Sequence, residues 1–160
     1  MAKTTRTVYH RRKREGKTNY KKRLELLKGR KPRVVIRKTN NQIIVQLIKY
    51  DAKGDEVTST FNQSNLKENG WKHNAKNIPA AYLTGLLAGK QSKVKEAILD
   101  TGLQTPHKGG RIYAALQGVI DAGVKVPASK EAFPSEDRLK GSHISKEVEK
   151  SFEKIKKKIE

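Results

Sequence analysis

Apolar residues concentrate between Val34 and Val126, and their spacing changes from strand-like runs to helical repeats as the chain proceeds. Arg33-Val34-Val35-Ile36-Arg37-Lys38 is rich in β-branched residues and cationic at both ends, and it reads as a first strand. Thr39-Asn40-Asn41-Gln42 has turn composition, because asparagine tolerates left-handed backbone angles, so Ile43 to Tyr50 becomes the returning arm of a hairpin. Asp51 to Asp55 supplies a second turn. Glu56 to Phe61, in which Val57, Ser59 and Phe61 alternate with threonines, then completes a three-stranded antiparallel meander.

Past the polar stretch around Trp71 the period becomes helical. Asn77 and Pro79 open a helix that carries Tyr82, Leu83, Leu86 and Leu87 on neighbouring faces. A stripe of Ala81, Gly85 and Gly89 predicts close packing of this helix on a sheet, since the segment is too short to pair inside a membrane. Glu96 to Asp100 reads as a fourth, buried strand. Gly109-Gly110 introduces a second helix with Ile112, Ala115, Leu116, Val119 and Ile120 at the 3.6-residue period, and Gly123 closes it. Residues 127–141 look irregular. Ser145 can cap a last helix with an apolar stripe of Val148, Phe152, Ile155 and Ile159; its ladder of Lys146, Lys150, Lys154 and Lys158 suits either a solvated face or a phosphate-facing one.

The expected fold class is α/β: a small mixed sheet, an antiparallel meander plus one parallel strand reached by a right-handed crossover, with packed helices. The expected organisation is a basic N-terminal arm with a short helix at 1–31, an α/β body at 32–126, and an irregular segment with a C-terminal helix at 127–160.

Charge changes the picture at the N-terminus. Sixteen of the 36 Lys and Arg residues lie between Met1 and Lys38, where only Glu15 and Glu25 are acidic, so this segment carries +14 of the total +20. Like charges at that density oppose compaction until an anionic surface supplies counter-charge, so the free arm is expected to be disordered. Within it, Thr18 or Asn19 can cap a short helix to Leu27 or Lys28, with Leu24 and Leu27 on one side, Gly29 ending it and Pro32 separating it from the body. Tyr9, His10 and Tyr20 among the cations suit irregular RNA better than duplex DNA, and no zinc finger, leucine zipper or helix-turn-helix pattern is present.

Enzymatic readings find little support. Cysteine is absent, which removes thiol nucleophiles and disulfides and agrees with a reducing compartment. No secretory signal or bilayer-length apolar run is visible, and the chain reads as cytosolic with no membrane partner. Ala97-Ile98-Leu99-Asp100-Thr101-Gly102 spells an aspartic-protease signature, but such a protease is nearly all β, and here the motif is flanked by helical patterns. The element order also resembles ribonuclease H, yet neither the first strand nor the first long helix holds a carboxylate for a two-metal site. Lys108-Gly109-Gly110-Arg111 lacks Walker spacing; it reads as a site for one backbone phosphate or as a glycine hinge with two solvated cations. His10, His73, His107 and His143 lack metal-ligand spacing, and no cofactor is expected.

Five separated blocks carry a resemblance through nearly the whole chain. They are the run from His10 to Tyr20, Lys31-Pro32-Arg33, Ala80 to Gly89, Ala97 to Leu103, and Phe133-Pro134-Ser135-Glu136-Asp137-Arg138. Together they resemble the family of large-subunit ribosomal protein eighteen in its archaeal form, whose eukaryotic counterpart is ribosomal protein five. The resemblance implies a translational-machinery body distantly similar to ribonuclease H, without catalysis, and gives Asp100-Thr101-Gly102 a structural role. It also implies binding to 5S rRNA and large-subunit rRNA in the central protuberance, beside a separate 5S-binding ribosomal protein, in the cytoplasm. Its implied RNA contacts are Tyr9, His10, Arg11, Arg12, Lys13, Arg14, Lys17, Tyr20, Lys21, Lys22, Arg23, Arg30, Lys31, Arg33, Arg37, Thr39, Asn40 and Asn41. Lys108 and Arg111 join these from their own chemistry. A non-ribosomal RNA-binding or RNA-chaperone protein is the alternative that the charge pattern alone leaves open.

Overall fold

The computed structural model describes residues 8–159. The first seven residues and Glu160 lie outside the described part, and with them the start of the expected basic arm. Four strands form one sheet in the order β3-β2-β1-β4, with β1 at Arg33–Lys38, β2 at Ile43–Lys49, β3 at Glu56–Phe61 and β4 at Ile98–Asp100. The meander is antiparallel, with Val35 opposite Gln46 and Gln46 opposite Thr60. β4 returns parallel to β1 and sets Asp100 beside Val35. The mixed α/β class expected from the sequence is therefore the one observed, but β4 is a three-residue edge strand of which only Asp100 is buried.

Helices α1 (Arg11–Arg14) and α2 (Tyr20–Lys28) precede the sheet. Asn19 caps α2 by accepting a hydrogen bond from the Lys22 amide, which satisfies one of the free N–H groups of the first turn. Leu24 is 58 % exposed, so it does not share the side that Leu27 and the half-buried Leu26 turn toward the body. After β3 comes α3 (Gln63–Glu68), which the periodicity did not indicate because Leu66 is its one buried residue. Its sequence signal is a reciprocal cap between Asn62 and Asn65.

α4 (Ile78–Gln91) is the centre of the core, and every residue from Pro79 to Gly89 is buried. One face meets the inner side of the sheet, built from Val34, Ile36, Ile43, Val45 and Leu47. The glycine stripe, however, faces α5 (Arg111–Asp121) rather than the sheet. A Cβ on Gly85 would collide with the Ala115 carbonyl, and one on Gly118 with the Tyr82 carbonyl and, at 2.7 Å, the Leu86 nitrogen. Small residues on both helices let the two backbones touch, a contact that one helix's sequence cannot reveal alone.

Residues 127–141 are more regular than expected: a 3-10 turn spans Lys130–Ala132, and α6 (Glu136–Lys140) follows. α7 (Lys146–Ile159) buries Val148, Phe152 and Ile155 and leaves Lys146, Lys150, Lys154 and Lys158 exposed. Val57 points outward and is 49 % exposed, because a register shift opposite Leu47 and Ile48 breaks the alternation of β3.

Gly85→Ala and Gly118→Ala are each expected to destabilise the protein by about 1–3 kcal/mol or more, because the methyl group meets rigid backbone. Thermal unfolding measures this; an unchanged Tm for both variants contradicts the α4–α5 contact.

Candidate nucleic-acid interface

The interface candidates divide by position. α1 places Arg11, Arg12, Lys13 and Arg14 on one exposed turn with no buried residue. Four cations on one turn repel one another, and local partners offset only part of that. Arg11 lies 3.6 Å from Glu15, the Arg12 Nε donates to Thr18 at 2.8 Å, and the Lys13 ammonium sits 3.6 Å above the Tyr9 ring centroid. Lys17 pairs with Glu15 at 2.9 Å, and the His10 and Tyr20 rings lie 5.4 Å apart. These exposed pairs contribute little to stability and are easily exchanged for phosphate. Lys21 and Arg30 are exposed, the latter in a left-handed conformation at φ 49°.

α2 is different because it is tied to the body. Arg23 bonds to Asp55 at 2.7 Å, and the Lys22 ammonium donates to the Thr101 hydroxyl and the Gly102 carbonyl at 3.2 and 3.1 Å. Gly29 packs so tightly on Ile98 that a Cβ would come within 2.7 Å of that side chain. Lys31 adds a pair with Glu96 at 2.8 Å, and the Lys31 hydrogen bond holds that carboxyl below its ordinary value. The Thr101 hydroxyl, the Gly102 carbonyl and the Asp55 carboxylate thus give the α2 segment fixed partners on the body, which α1 lacks.

Arg33 stands apart from the other candidates. It is 3 % exposed, and its two terminal nitrogens bond Asp100 at 2.9 Å and Asp55 at 2.6 Å. Expected as an RNA contact, it turns inward instead: its position on β1, between Ile48 and Ile98, directs it under the arm. Arg37, four residues on, shares that face but stays 34 % exposed while it donates to the Asp100 carbonyl at 2.7 Å and carboxylate at 3.3 Å. Asp100 also accepts from the Gly102 amide at 2.7 Å. The protease-like motif is therefore an ion-pair anchor, with both carboxylate oxygens bonded and the residue buried.

Asp55 feels opposing forces. Burial pushes its carboxyl up, but the hydrogen bonds from Arg23 and Arg33 outweigh that and hold it below the ordinary aspartate value. The sequence singles out Asp100 only through its protease-like motif and the structural role the resemblance implies, and does not single out Asp55, because no local pattern links Arg33 to partners 22 and 67 residues away.

At the β1–β2 turn, the Thr39 hydroxyl donates to the Gln42 carbonyl at 3.0 Å and accepts from the Asn41 and Gln42 amides. Thr39 is committed to the turn, whereas Asn40 and Asn41 project exposed amides. Gln104, missed by sequence reasoning, braces the start of this turn by bonding both backbone groups of Lys38 at 2.9 and 2.6 Å. Lys108 and Arg111 lie beyond the sheet at the start of α5, around a depression that Lys38 and Arg138 also line. Lys108 faces Glu131 at 3.6 Å with both side chains exposed, and Arg111 donates to the Lys76 carbonyl at 3.2 Å. Among the described residues, no three His, Cys, Asp or Glu side chains cluster as a metal site, and no helix is long and apolar enough to cross a membrane.

A cationic surface held on an α/β body, with its buried carboxylates consumed in ion pairs, defines a structural, polyanion-binding protein. The chain matches the family described as ribosomal large subunit proteins 60S L5 and 50S L18 over residues 5–96. It is 55 % identical over 146 residues to the large ribosomal subunit protein uL18 of Korarchaeum cryptofilum, which covers 89 % of this chain and 75 % of the relative. It is 47 % identical over 159 residues to that of Methanothrix thermoacetophila, covering 95 % of this chain and 94 % of the relative. The chain belongs to this ribosomal protein family, in its archaeal form: it is a non-enzymatic constituent of the large ribosomal subunit.

Asp100→Ala is expected to destabilise the fold by about 3–5 kcal/mol, since it leaves the buried Arg33 guanidinium short of a partner. Denaturant unfolding reads that loss. The Asp55 contribution follows pH: a carboxyl depressed on folding stabilises fully above the ordinary aspartate range, and that stability is lost as pH falls through the folded value. Asp55→Asn is therefore expected to flatten the acid limb of Tm against pH, and an unaltered limb contradicts the clasp.

Proposed function

We propose that the protein binds 5S rRNA and helps attach it to the large-subunit rRNA in the central protuberance, next to a second 5S-binding ribosomal protein. The observation that carries this reading is the division of cations into two sets on a chain of this family. Arg23 and Arg33 meet on Asp55 and hold the arm to the body, and Arg37 bonds Asp100 within the sheet while staying partly exposed; Arg11, Arg12, Lys13, Arg14 and Lys21 stay exposed for phosphates. Arg33 is a positioning residue in this proposal and not a contact. Lys108 and Arg111, displaced to the start of α5, suit a phosphate of a different RNA segment.

Cations of this kind hold by releasing counterions, and the exposed amides of Asn40 and Asn41 supply donors and acceptors for base edges and 2′-hydroxyls. The arm and the turn therefore divide affinity from discrimination. The organisation into arm, body and C-terminal segment follows the same logic, with 1–31 as the RNA-facing unit clasped to 32–126. A non-ribosomal accessory role loses its ground once the chain is placed in a ribosomal family.

Binding to 5S rRNA is expected to weaken by about three to five orders of magnitude between about 50 and 200 mM salt if about six to ten phosphates are engaged. Replacing Arg11, Arg12, Lys13 and Arg14 together with alanine is expected to lower the salt slope by about 0.9 per lost contact, with the unfolding transition unchanged because α1 buries nothing. Filter binding against 5S rRNA and a length-matched control RNA checks both. Equal affinity for the two RNAs sinks the proposal.

A further inference from the structure

The sheet has helices α4 and α5 on one side, and on the other α2 crosses only part of the surface. Between α2 and that outer face lies a cleft of about 680 Å³, within the range of ligand-sized pockets. Its floor has an apolar part beside Gln46: Val35 of β1 and Ile48 of β2 are buried on this side and belong to no part of the main core. Half-buried Tyr20 and Leu103, 55 % exposed, line it as well.

The polar groups of the cleft point to a particular kind of ligand. Six cationic side chains and two carboxylates line it, and both carboxylates are engaged by arginines, so the field inside favours an anion. Gln46 donates through Nε2 to Thr60 at 3.1 Å, and its Oε1 has no partner among the described residues. In the wall, the Arg33 Nε and Asp55 Oδ1 are buried without a hydrogen-bond partner. Unsatisfied buried donors and acceptors are rare enough to call for an explanation, and here one of each belongs to a residue that lines the cleft. An apolar floor, an aromatic ring, a free amide acceptor and a cationic rim together suit a nucleotide, whose flat base needs the first three and whose phosphate needs the last. A lipid or an acidic peptide would leave the amide acceptor or the floor unused.

We propose that this cleft receives one unpaired nucleotide of an RNA strand, with its base over Val35 and Ile48 beside Tyr20 and its phosphate on the rim at Lys22 and Arg37. The inference rests on the RNA-binding reading above and adds to it a pocket for a single extruded base. A paired base stays in its stack and cannot enter, so the cleft selects loops and bulges over helices.

The test uses the full chain and a mixed-sequence single-stranded oligoribonucleotide containing thiouridine. Ultraviolet cross-linking followed by peptide mapping is expected to place adducts in the segments at 20–23 or 103–104, and a fully duplexed form of the same RNA is expected to give none there. Leu103→Trp, which narrows the exposed mouth, and Gln46→Trp, which fills the floor, are each expected to weaken single-strand binding by about 5- to 150-fold, the range for one stacked base. The salt slope should fall by no more than the share of one phosphate, about 0.7, because no cation is removed and only the excluded nucleotide's phosphate can leave the rim. Thermal unfolding checks both folds, and Leu103→Trp decides if Gln46→Trp unfolds. Undiminished affinity in the folded variant, adducts confined to other segments, or displacement by a free mononucleotide as effective as by the strand each overturns the proposal. Preference for 5S rRNA is scored separately on the wild type. A 5S preference with unmoved variants removes only the cleft, and cleft adducts without a 5S preference remove only the choice of RNA.

Discussion

Two carboxylates, Asp55 and Asp100, hold together parts of the chain that charge would otherwise drive apart. The protein carries 36 Lys and Arg against 16 Asp and Glu, and its most basic segment runs straight into its first strand. Asp55, in the turn before β3, bonds Arg23 of the arm and Arg33 of β1. Asp100, at the end of β4, bonds Arg33 from the other side and Arg37 above it. Arg33 thus sits between two carboxylates, 3 % exposed, and links arm, sheet and edge strand. A buried pair is weak evidence of net stability, since desolvation offsets much of the attraction, but it fixes geometry because each partner is costly to leave alone. What it fixes here is the angle at which the arm leaves the body.

That constraint explains how the surface sorts its cations. Arginines near the two aspartates are drawn in and become structural, and cations beyond reach, on α1 and at Lys21 of α2, stay in solvent. Charge alone would have made all of them equivalent. The clasp also leaves a cleft rather than a sealed interface, because Arg23 and Lys22 hold α2 by its N-terminal half while Gly29 holds its far end. The sheet floor between those ties is bridged and not filled.

The core serves the same end from the other side. α4 is buried through almost its whole length and lies against both the sheet and α5, with glycines on both helices where the backbones meet. A helix so enclosed gives the sheet a rigid backing, so the outer face can carry polar and cationic groups without losing its shape. The turn at Thr39 gains from this twice, through its own hydroxyl and through the brace from Gln104.

Much of this was legible in the amino-acid sequence. β-branched runs, asparagine turns and helical periods gave β1 to β3, α2, α4, α5 and α7 nearly at their observed limits, because those signals are local and act over a few residues. The +14 of the first 38 residues, and the five family-like blocks, pointed to a ribosomal, RNA-facing chain before any contact was known. Short helices with one buried residue, such as α3, escaped because one leucine has no period. Tertiary structure alone decided which cations are free: Arg33 and Arg37 look alike on β1, but only proximity to Asp55 and Asp100, from turns and strands far along the chain, turns the first inward and leaves the second partly in water. Ion pairs depend on distance in space and leave no mark in the spacing of residues, so the sequence determined the charge and its address while the fold determined its use.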